Sequence, residues 1–407
     1  MRHVIIGSSA AGIASAKTLR SIRKDDKIII ISSDNVNYSR CMLHKYVCNE
    51  RNLENLSFIP DNFFSTNNIT WYKGENVKGI DTKNNNVLLQ DKIISYDKLL
   101  ITTGSDSVIP DVGELRTATN VHGFMHLTDA EMIREKAVNG KKVLIIGAGL
   151  AGIDAAYALL KLKKVAVTVV EMSSHIMSLN LDSTAANVYQ KIFEQNGCSF
   201  HLNSKITGTV SNENGEITHI VLEAGEKLSC DLVIVAAGVK PSVKFLEGSG
   251  IECGQGIKVD QYLNASCENV YAAGNVTALG GIWQCAVRQG EVAAKNMCGI
   301  KTPFTDTFTA KSAMNFFDLS TLSIGNVNHE NSDTVLTRKN SSCYQKIVLR
   351  NNTVIGVVLQ GNIAHSGIWQ YLIKNKLSIN NFKKSVWTIC FADFYSIDEK
   401  GQYTYRI

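Results

Sequence analysis

Two short apolar runs, each closed by a glycine-rich turn and followed by a helical period, set the framework of this chain. Val4-Ile5-Ile6 leads into Gly7-Ser8-Ser9-Ala10-Ala11-Gly12, and Val143-Leu144-Ile145-Ile146 leads into Gly147-Ala148-Gly149-Leu150-Ala151-Gly152. Residues 13–22 read as a helix. Lys27–Ser32, with four consecutive isoleucines, reads as a strand buried on both faces of a parallel sheet. Further apolar strands are predicted at 98–103, 166–171, 231–237 and 270–272, and helices at 183–196 and 283–297. Asn84-Asn85-Asn86, between 77–81 and 87–90, predicts a hairpin. Gly104 with Pro110, and Gly238 with Pro241, punctuate the pattern as two crossings between domains. Beyond Pro303, residues 344–349 and 353–360 alternate around Asn351-Asn352, a hairpin signal. Residues 367–375 then place Ile368, Trp369, Leu372 and Ile373 on one helical face.

The expected fold is therefore α/β. Two Rossmann-like dinucleotide-binding domains are expected, with a small α+β domain at the C-terminal end. At 407 residues the chain is too long for a single core. Its 44% hydrophobic and 19% charged residues are ordinary for a soluble protein, and no run approaches the ~20 apolar residues of a membrane span. No signal peptide is expected ahead of the first strand. The ten cysteines include no CxxC pair, which argues for a reduced, cytoplasmic protein with mostly buried thiols and against a zinc site. The net charge of +5 is concentrated: residues 301–407 hold 12 Lys and Arg against 7 Asp and Glu, and the rest of the chain is neutral. Such an excess suits either an acidic partner or a merely solvated surface. No nucleic-acid or membrane partner is expected.

A glycine turn between strand and helix has a chemistry. The first glycine makes the bend, the second admits the backbone to a pyrophosphate, the third lets helix and strand pack, and the helix N-terminus holds the phosphates. One such turn has purely structural explanations. Two in one chain point to two dinucleotides facing each other, the arrangement by which a flavin receives a hydride from a nicotinamide. Glu171 ends the second strand of the second unit, where an acid would accept hydrogen bonds from the adenosine ribose. That carboxylate would repel a 2′-phosphate, so NADH is favoured over NADPH; an ordinary strand-end glutamate is the alternative.

Five segments occur in an order that resembles one family. They are the first turn, Tyr96-Asp97-Lys98-Leu99-Leu100-Ile101-Thr102-Thr103-Gly104, the second turn, Ala237-Gly238-Val239-Lys240-Pro241, and Tyr271-Ala272-Ala273-Gly274-Asn275. On these the chain resembles the FAD- and NAD(P)H-dependent pyridine nucleotide-disulfide oxidoreductases, in the branch of rubredoxin and ferredoxin reductases, NADH oxidases and nitrite reductase flavin domains. The resemblance implies an FAD-binding domain of residues 1–110 and 241–302, an inserted NAD-binding domain of 111–240, and a C-terminal domain of 303–407. It implies FAD contacts at Gly7, Ser9, Ala11, Gly12, Ser32, Arg40, Val77, Thr103, Gly104, Gly274 and Asn275. Contacts to NAD(H) are implied at Gly147, Gly149, Leu150, Ala151, Gly152, Glu171 and Gly238. Three positions depart from the family pattern. Ser9 replaces the middle glycine, Ser32 or Ser33 stands where an acid holds the FAD ribose, with Asp34 just beyond, and Asn275 replaces an aspartate.

Cys41 occupies the place of a single redox cysteine in some relatives, within Arg40-Cys41-Met42-Leu43-His44-Lys45, whose Arg, Leu and Lys match the ferredoxin reductases. Its alternatives are a single-thiol redox role or a small apolar filler. A dithiol is disfavoured, because Cys48 is seven residues on, about 10.5 Å along a helix, beyond disulfide reach. Lys45 and Asp154 match a Lys–acid pair beside the flavin; a surface lysine and a first-turn aspartate are the alternative. The expected function is an NADH-dependent FAD flavoprotein moving electrons, in either direction, between NAD(H) and a ferredoxin- or rubredoxin-type carrier of acidic surface. A Cys41-dependent NADH oxidase or small disulfide reductase stands beside it. So does a flavin subunit of a larger redox complex, and a homodimer is compatible with all three.

Overall fold

The computed structural model describes residues 1–305 and 311–405. The expected C-terminal domain of 303–407 therefore includes a few positions, 306–310 and 406–407, outside the described residues. Two compact units form, one from Met1–Gly147, Asp154–Ala166 and Ile206–Asp306, the other from Ala148–Ile153, Val167–Lys205 and Thr307–Ile407.

The first unit is built on a five-stranded parallel sheet in the order Val270–Ala272, Lys98–Ile101, Arg2–Ile6, Lys27–Ser32, Ile69–Lys73. The run of isoleucines is explained by its two faces. Ile28 and Ile30 join Ile5 and Leu100 against the helices on one side, while Ile29 and Ile31 join Val4, Ile6, Leu99 and Ile101 on the other. With both faces covered, the period-two alternation vanishes and every position contributes about 1.5–3 kcal/mol of burial. The helix Ala10–Ile22 starts earlier than its periodicity suggests, because Ala10-Ala11-Gly12 are small yet buried. It packs on Trp283–Met297 at unusually short range. A Cβ on Gly290 would fall 2.2 Å from the Ala11 carbonyl oxygen, so only glycine lets the helices meet there.

The two predicted crossings lie side by side: Ser105–Ser107 pairs antiparallel with Val239–Pro241. In the same unit Lys142–Ile146 runs parallel to Leu232–Val235, which pairs with Val121–His122. The asparagine hairpin forms between Gly79–Asp81 and Asn86–Leu88.

In the second unit, residues 167–170 pair in parallel with Cys198–His201. The helix Ser183–Gln195 is capped by Asp182, whose carboxylate accepts from the Ala185 amide at 3.0 Å. An antiparallel sheet follows in the order Lys311–Phe316, Leu319–Gly325, Thr353–Gln360, Tyr344–Arg350, Thr334–Lys339. Its central hairpin turns at Asn351 and Asn352, both left-handed, the backbone a tight two-residue turn requires. Helix Ser366–Lys374 covers the sheet with Ile368, Trp369 and Leu372. Beneath the sheet, Lys346 is 4% exposed and its Nζ lies 3.3 Å from Asp182, which also accepts from the Tyr344 hydroxyl at 2.6 Å. Among the described residues, no helix is long and apolar enough to cross a membrane.

Candidate dinucleotide and redox site

At the first turn, Gly7 adopts a φ of +110°, and a Cβ on it would sit 2.3 Å from the Thr102 carbonyl oxygen. A Cβ on Gly12 would sit 2.0 Å from the Gly7 carbonyl oxygen, so both glycines are required by the turn itself. Ser9 precedes the helix without capping it, and the first turn carries no acidic residue. The leading amides of the helix are thus left for an anion. Asn37, which no sequence motif marks, donates from Nδ2 to the Ser8 carbonyl, while its buried Oδ1 has no hydrogen-bond partner among the described residues. An unpartnered acceptor beside a phosphate-type turn fits a ligand that brings a donor, such as a ribose hydroxyl.

Other expected flavin contacts divide. Ser32 is buried, with its hydroxyl used twice, accepting from Trp71 Nε1 at 2.9 Å and donating to the Asp34 carbonyl at 3.0 Å. Its hydrogen bonds therefore go to protein groups, because the indole reaches over the strand end. Ala11 is likewise buried, its carbonyl turned toward Gly290. Val77 packs at the edge of the apolar cluster. Thr103 donates to the Ser242 carbonyl, Gly104 accepts from the Ser242 amide, and the Gly238 carbonyl accepts from Val108, so these residues brace the paired crossings. Gly274 donates to the fully buried Gln289 at 2.6 Å, and Asn275 Nδ2 lies 3.3 Å from Ser105 Oγ. Gln289 was invisible in sequence, since a polar residue inside an amphipathic helix has no local signature.

At the second turn the middle glycine behaves differently from the first. Among the described residues, a Cβ on Gly149 would meet nothing within 4 Å, so none of them demands glycine there. Open space at that position is what a pyrophosphate approaching the backbone needs. Glu171 is held at this turn, Oε2 accepting from Ala148 N and Oε1 from Ser173 N, both at 2.7 Å. Each oxygen keeps a further lone pair for a hydroxyl. Leu150, Ala151 and Gly152 open the helix Leu150–Leu162, whose first turn is also free of acid.

The Cys41 region departs from expectation in its pairing. Lys45 bonds the carboxylate of Glu50 instead of Asp154, because Glu50 folds back onto the end of the short helix Leu43–Val47, its amide donating to the Lys45 carbonyl. Lys161 lies 3.7 Å from the other Glu50 oxygen, and both lysines sit over the Tyr157 ring. His44 Nδ1 lies 3.8 Å from Asp154 Oδ1. Burial pushes the Asp154 carboxyl up to about 7, with the Lys45 charge opposing. Burial and then Lys45 push His44 down to about 4, leaving it neutral at pH 7. The Lys45 ammonium, despite burial, is raised by Glu50. Cys41 presents surface to solvent, yet dense packing around its sulfur and the Asp154 carboxylate raise its thiol. At neutral pH it is a thiol, the poorer nucleophile. Cys41 and Cys48, the two cysteines of this segment, are free thiols.

Arg40 is the best-anchored side chain of this segment. Its Nη1 donates to the Met125 carbonyl at 2.8 Å and meets His126 Nδ1 at 2.9 Å, and Nη2 lies 3.8 Å from Asp34.

Residues 1–290 match the family model for pyridine nucleotide-disulphide oxidoreductase, and residues 312–377 match that of the rubredoxin NAD+ reductase C-terminal domain. The chain belongs to the pyridine nucleotide-disulphide oxidoreductase family. Among its relatives, nitrite reductase (NAD(P)H) of Bacillus subtilis (strain 168) is 28% identical over 94% of this chain and 48% of its own length. This chain thus spans about half of that relative. The NADH-dependent phenylglyoxylate dehydrogenase subunit epsilon of Aromatoleum evansii is 28% identical over 93% of this chain and 92% of its own. In fold, the chain is similar to the reductase in a covalent putidaredoxin reductase–putidaredoxin complex, with a TM-score of 0.83, 21% identity, and 93% and 94% of the two chains covered.

Proposed function

We propose that this chain is an NADH-dependent FAD flavoprotein that passes electrons between NAD(H) and an acidic one-electron carrier of the rubredoxin or iron–sulfur type. The observation that carries the proposal is the union of two dinucleotide turns with a segment, 312–377, matching the rubredoxin NAD+ reductase C-terminal domain. FAD would be held by residues 1–110 and 241–302, NADH by 111–240, and the carrier would dock on 303–407. The paired crossings at Ser105–Ser107 and Val239–Pro241 lie near both boundaries. Bound FAD supplies the step from a two-electron hydride donor to a one-electron acceptor.

The chain's own residues then have defined tasks. The Ala10–Ile22 and Leu150–Leu162 N-termini bind the two pyrophosphates, and the free edge of Arg40 meets the flavin dinucleotide. Glu171 accepts from the NADH ribose and disfavours NADPH. Lys45, fixed by Glu50, and Asp154 flank Cys41 and orient the nicotinamide. The free thiols of Cys41, Cys48, Cys198 and Cys230 suit a reducing cytoplasm.

A thiol mechanism is the reading to exclude, and the raised Cys41 thiol speaks against it. Cys41→Ser should retain NADH turnover with a dye and with a carrier. Loss of both activities together would mean that electrons pass through the thiol, and the proposal would fail. The near full-length likeness to a dehydrogenase subunit favours a second reading, in which the same chemistry serves a larger complex.

A further inference from the structure

His126 stands just before helix Leu127–Lys136, with its ring held between two fixed partners. Nδ1 lies 2.9 Å from Arg40 Nη1, and Nε2 lies 2.9 Å from Asp106 Oδ1. A guanidinium only donates and a carboxylate only accepts. The partners therefore dictate the hydrogens: Nδ1 accepts, Nε2–H donates, and the ring is neutral. The other Nη1 proton goes to the Met125 carbonyl, so Nη1 is fully used and Arg40 offers an incoming anion only its Nε and Nη2. Asp106 accepts a second bond, at 2.6 Å, from Ser242 Oγ. The chain of bonds runs Arg40–His126–Asp106–Ser242 and ends on the paired crossings.

We propose that His126 is a positioning residue that fixes the Arg40 guanidinium for an anionic dinucleotide, and that it does so only as the neutral Nε2–H tautomer. The proposal rests on the assignment of Arg40 to FAD made under Proposed function. A proton on Nδ1 would set a second donor and a second positive charge against Arg40 Nη1, releasing the arginine while the His126–Asp106 contact survives. The charged and titratable groups around this junction are Arg40 and Asp106, Asp129, which accepts from the Met125 and His126 amides, Asp34 beside Arg40, and Tyr38, whose hydroxyl accepts from the Leu127 amide. A lysine or arginine at position 126 would have no acceptor for Arg40, and a phenylalanine would have neither function.

Two measurements on the full chain test this. Imidazole 15N NMR at pH 8 should report His126 as Nε2–H with Nδ1 bare, and guanidinium NMR should report slow Arg40 rotation that becomes free in His126→Phe. An Nδ1–H tautomer, or Arg40 rotation indifferent to His126→Phe, would overturn the positioning role. In FAD titrations by flavin fluorescence at pH 8, His126→Asn, whose amide oxygen can still accept from Arg40, should keep an affinity close to wild type. His126→Phe should bind about tenfold more weakly at pH 8, the worth of one charge-assisted bond; identical affinities in all three proteins would also overturn it. Arg40→Ala with unchanged FAD affinity would sink the flavin reading of Arg40 instead, and the NMR measurements would then decide by themselves whether His126 positions the arginine.

Discussion

Asp154→Asn should stabilise this protein at alkaline pH and leave it unchanged in acid. The carboxyl sits at about 7 when folded against an ordinary value of 3.8, so the unfolded chain releases this proton first. Stability from this group is therefore complete below pH ~4, is lost as pH rises toward 7, and stays lost above. Full ionisation at that separation would cost about 4 kcal/mol. The side chain keeps 28% of its surface exposed, and water at that edge reduces the figure to about 2 kcal/mol. Asparagine keeps the shape and carries no charge, so the variant should recover that amount at pH 8. For a unit of this size the gain corresponds to roughly 3 °C in Tm. The assay is thermal unfolding of both proteins from pH 4.5 to 8.5, read as the difference between them, which cancels every other titrating group. Curves that stay parallel, or a variant less stable than wild type at pH 8, would show that Asp154 is not driven toward its neutral form, and the description of the Cys41 surroundings would be wrong.

Three further outcomes are expected. Glu171→Ala should weaken NADH use by about 1–3 kcal/mol and narrow the gap to NADPH in steady-state kinetics; an unchanged preference would place the carboxylate away from the ribose. Carrier reduction at sub-saturating concentration should slow as salt rises from ~10 to ~300 mM, while a small neutral dye is unaffected. Neutralising Lys374, Lys376 and Lys383 should flatten that slope more than neutralising Lys384, which is already paired with Asp393 at 2.6 Å; a carrier rate indifferent to salt would move docking elsewhere. Lys346→Ala should destabilise the second unit by about 3–5 kcal/mol by leaving Asp182 without its buried cation, read by urea unfolding; a loss under 1 kcal/mol would show the pair is solvated.

The strands at 27–32, 98–101 and 270–272, the helices at 183–195 and 283–297 and both glycine turns were legible from local pattern alone, because they depend on contacts within a few residues; the strand at 69–73 and the helix at 127–136 were not. Four isoleucines in a row announce a doubly covered strand, and Asn351-Asn352 announces its turn, whatever the rest of the chain does. That Glu171 stands at the second glycine turn was legible for the same reason, since it lies at a set distance along the chain. What tertiary structure decided is who pairs with whom. Lys45 has Glu50 five residues away and Asp154 more than a hundred away, and the compact return of the chain after the short helix brings the nearer acid to it. Ser32 became a partner of Trp71 only when the Ile69–Lys73 strand was laid beside Lys27–Ser32. Arg40, His126, Asp106 and Ser242 come from four separate segments, and no spacing along the chain relates them. Hydrogen-bond partnerships of this kind depend on distances of about 3 Å between atoms that the backbone assembles last, so they are written in the packing and not in the local pattern.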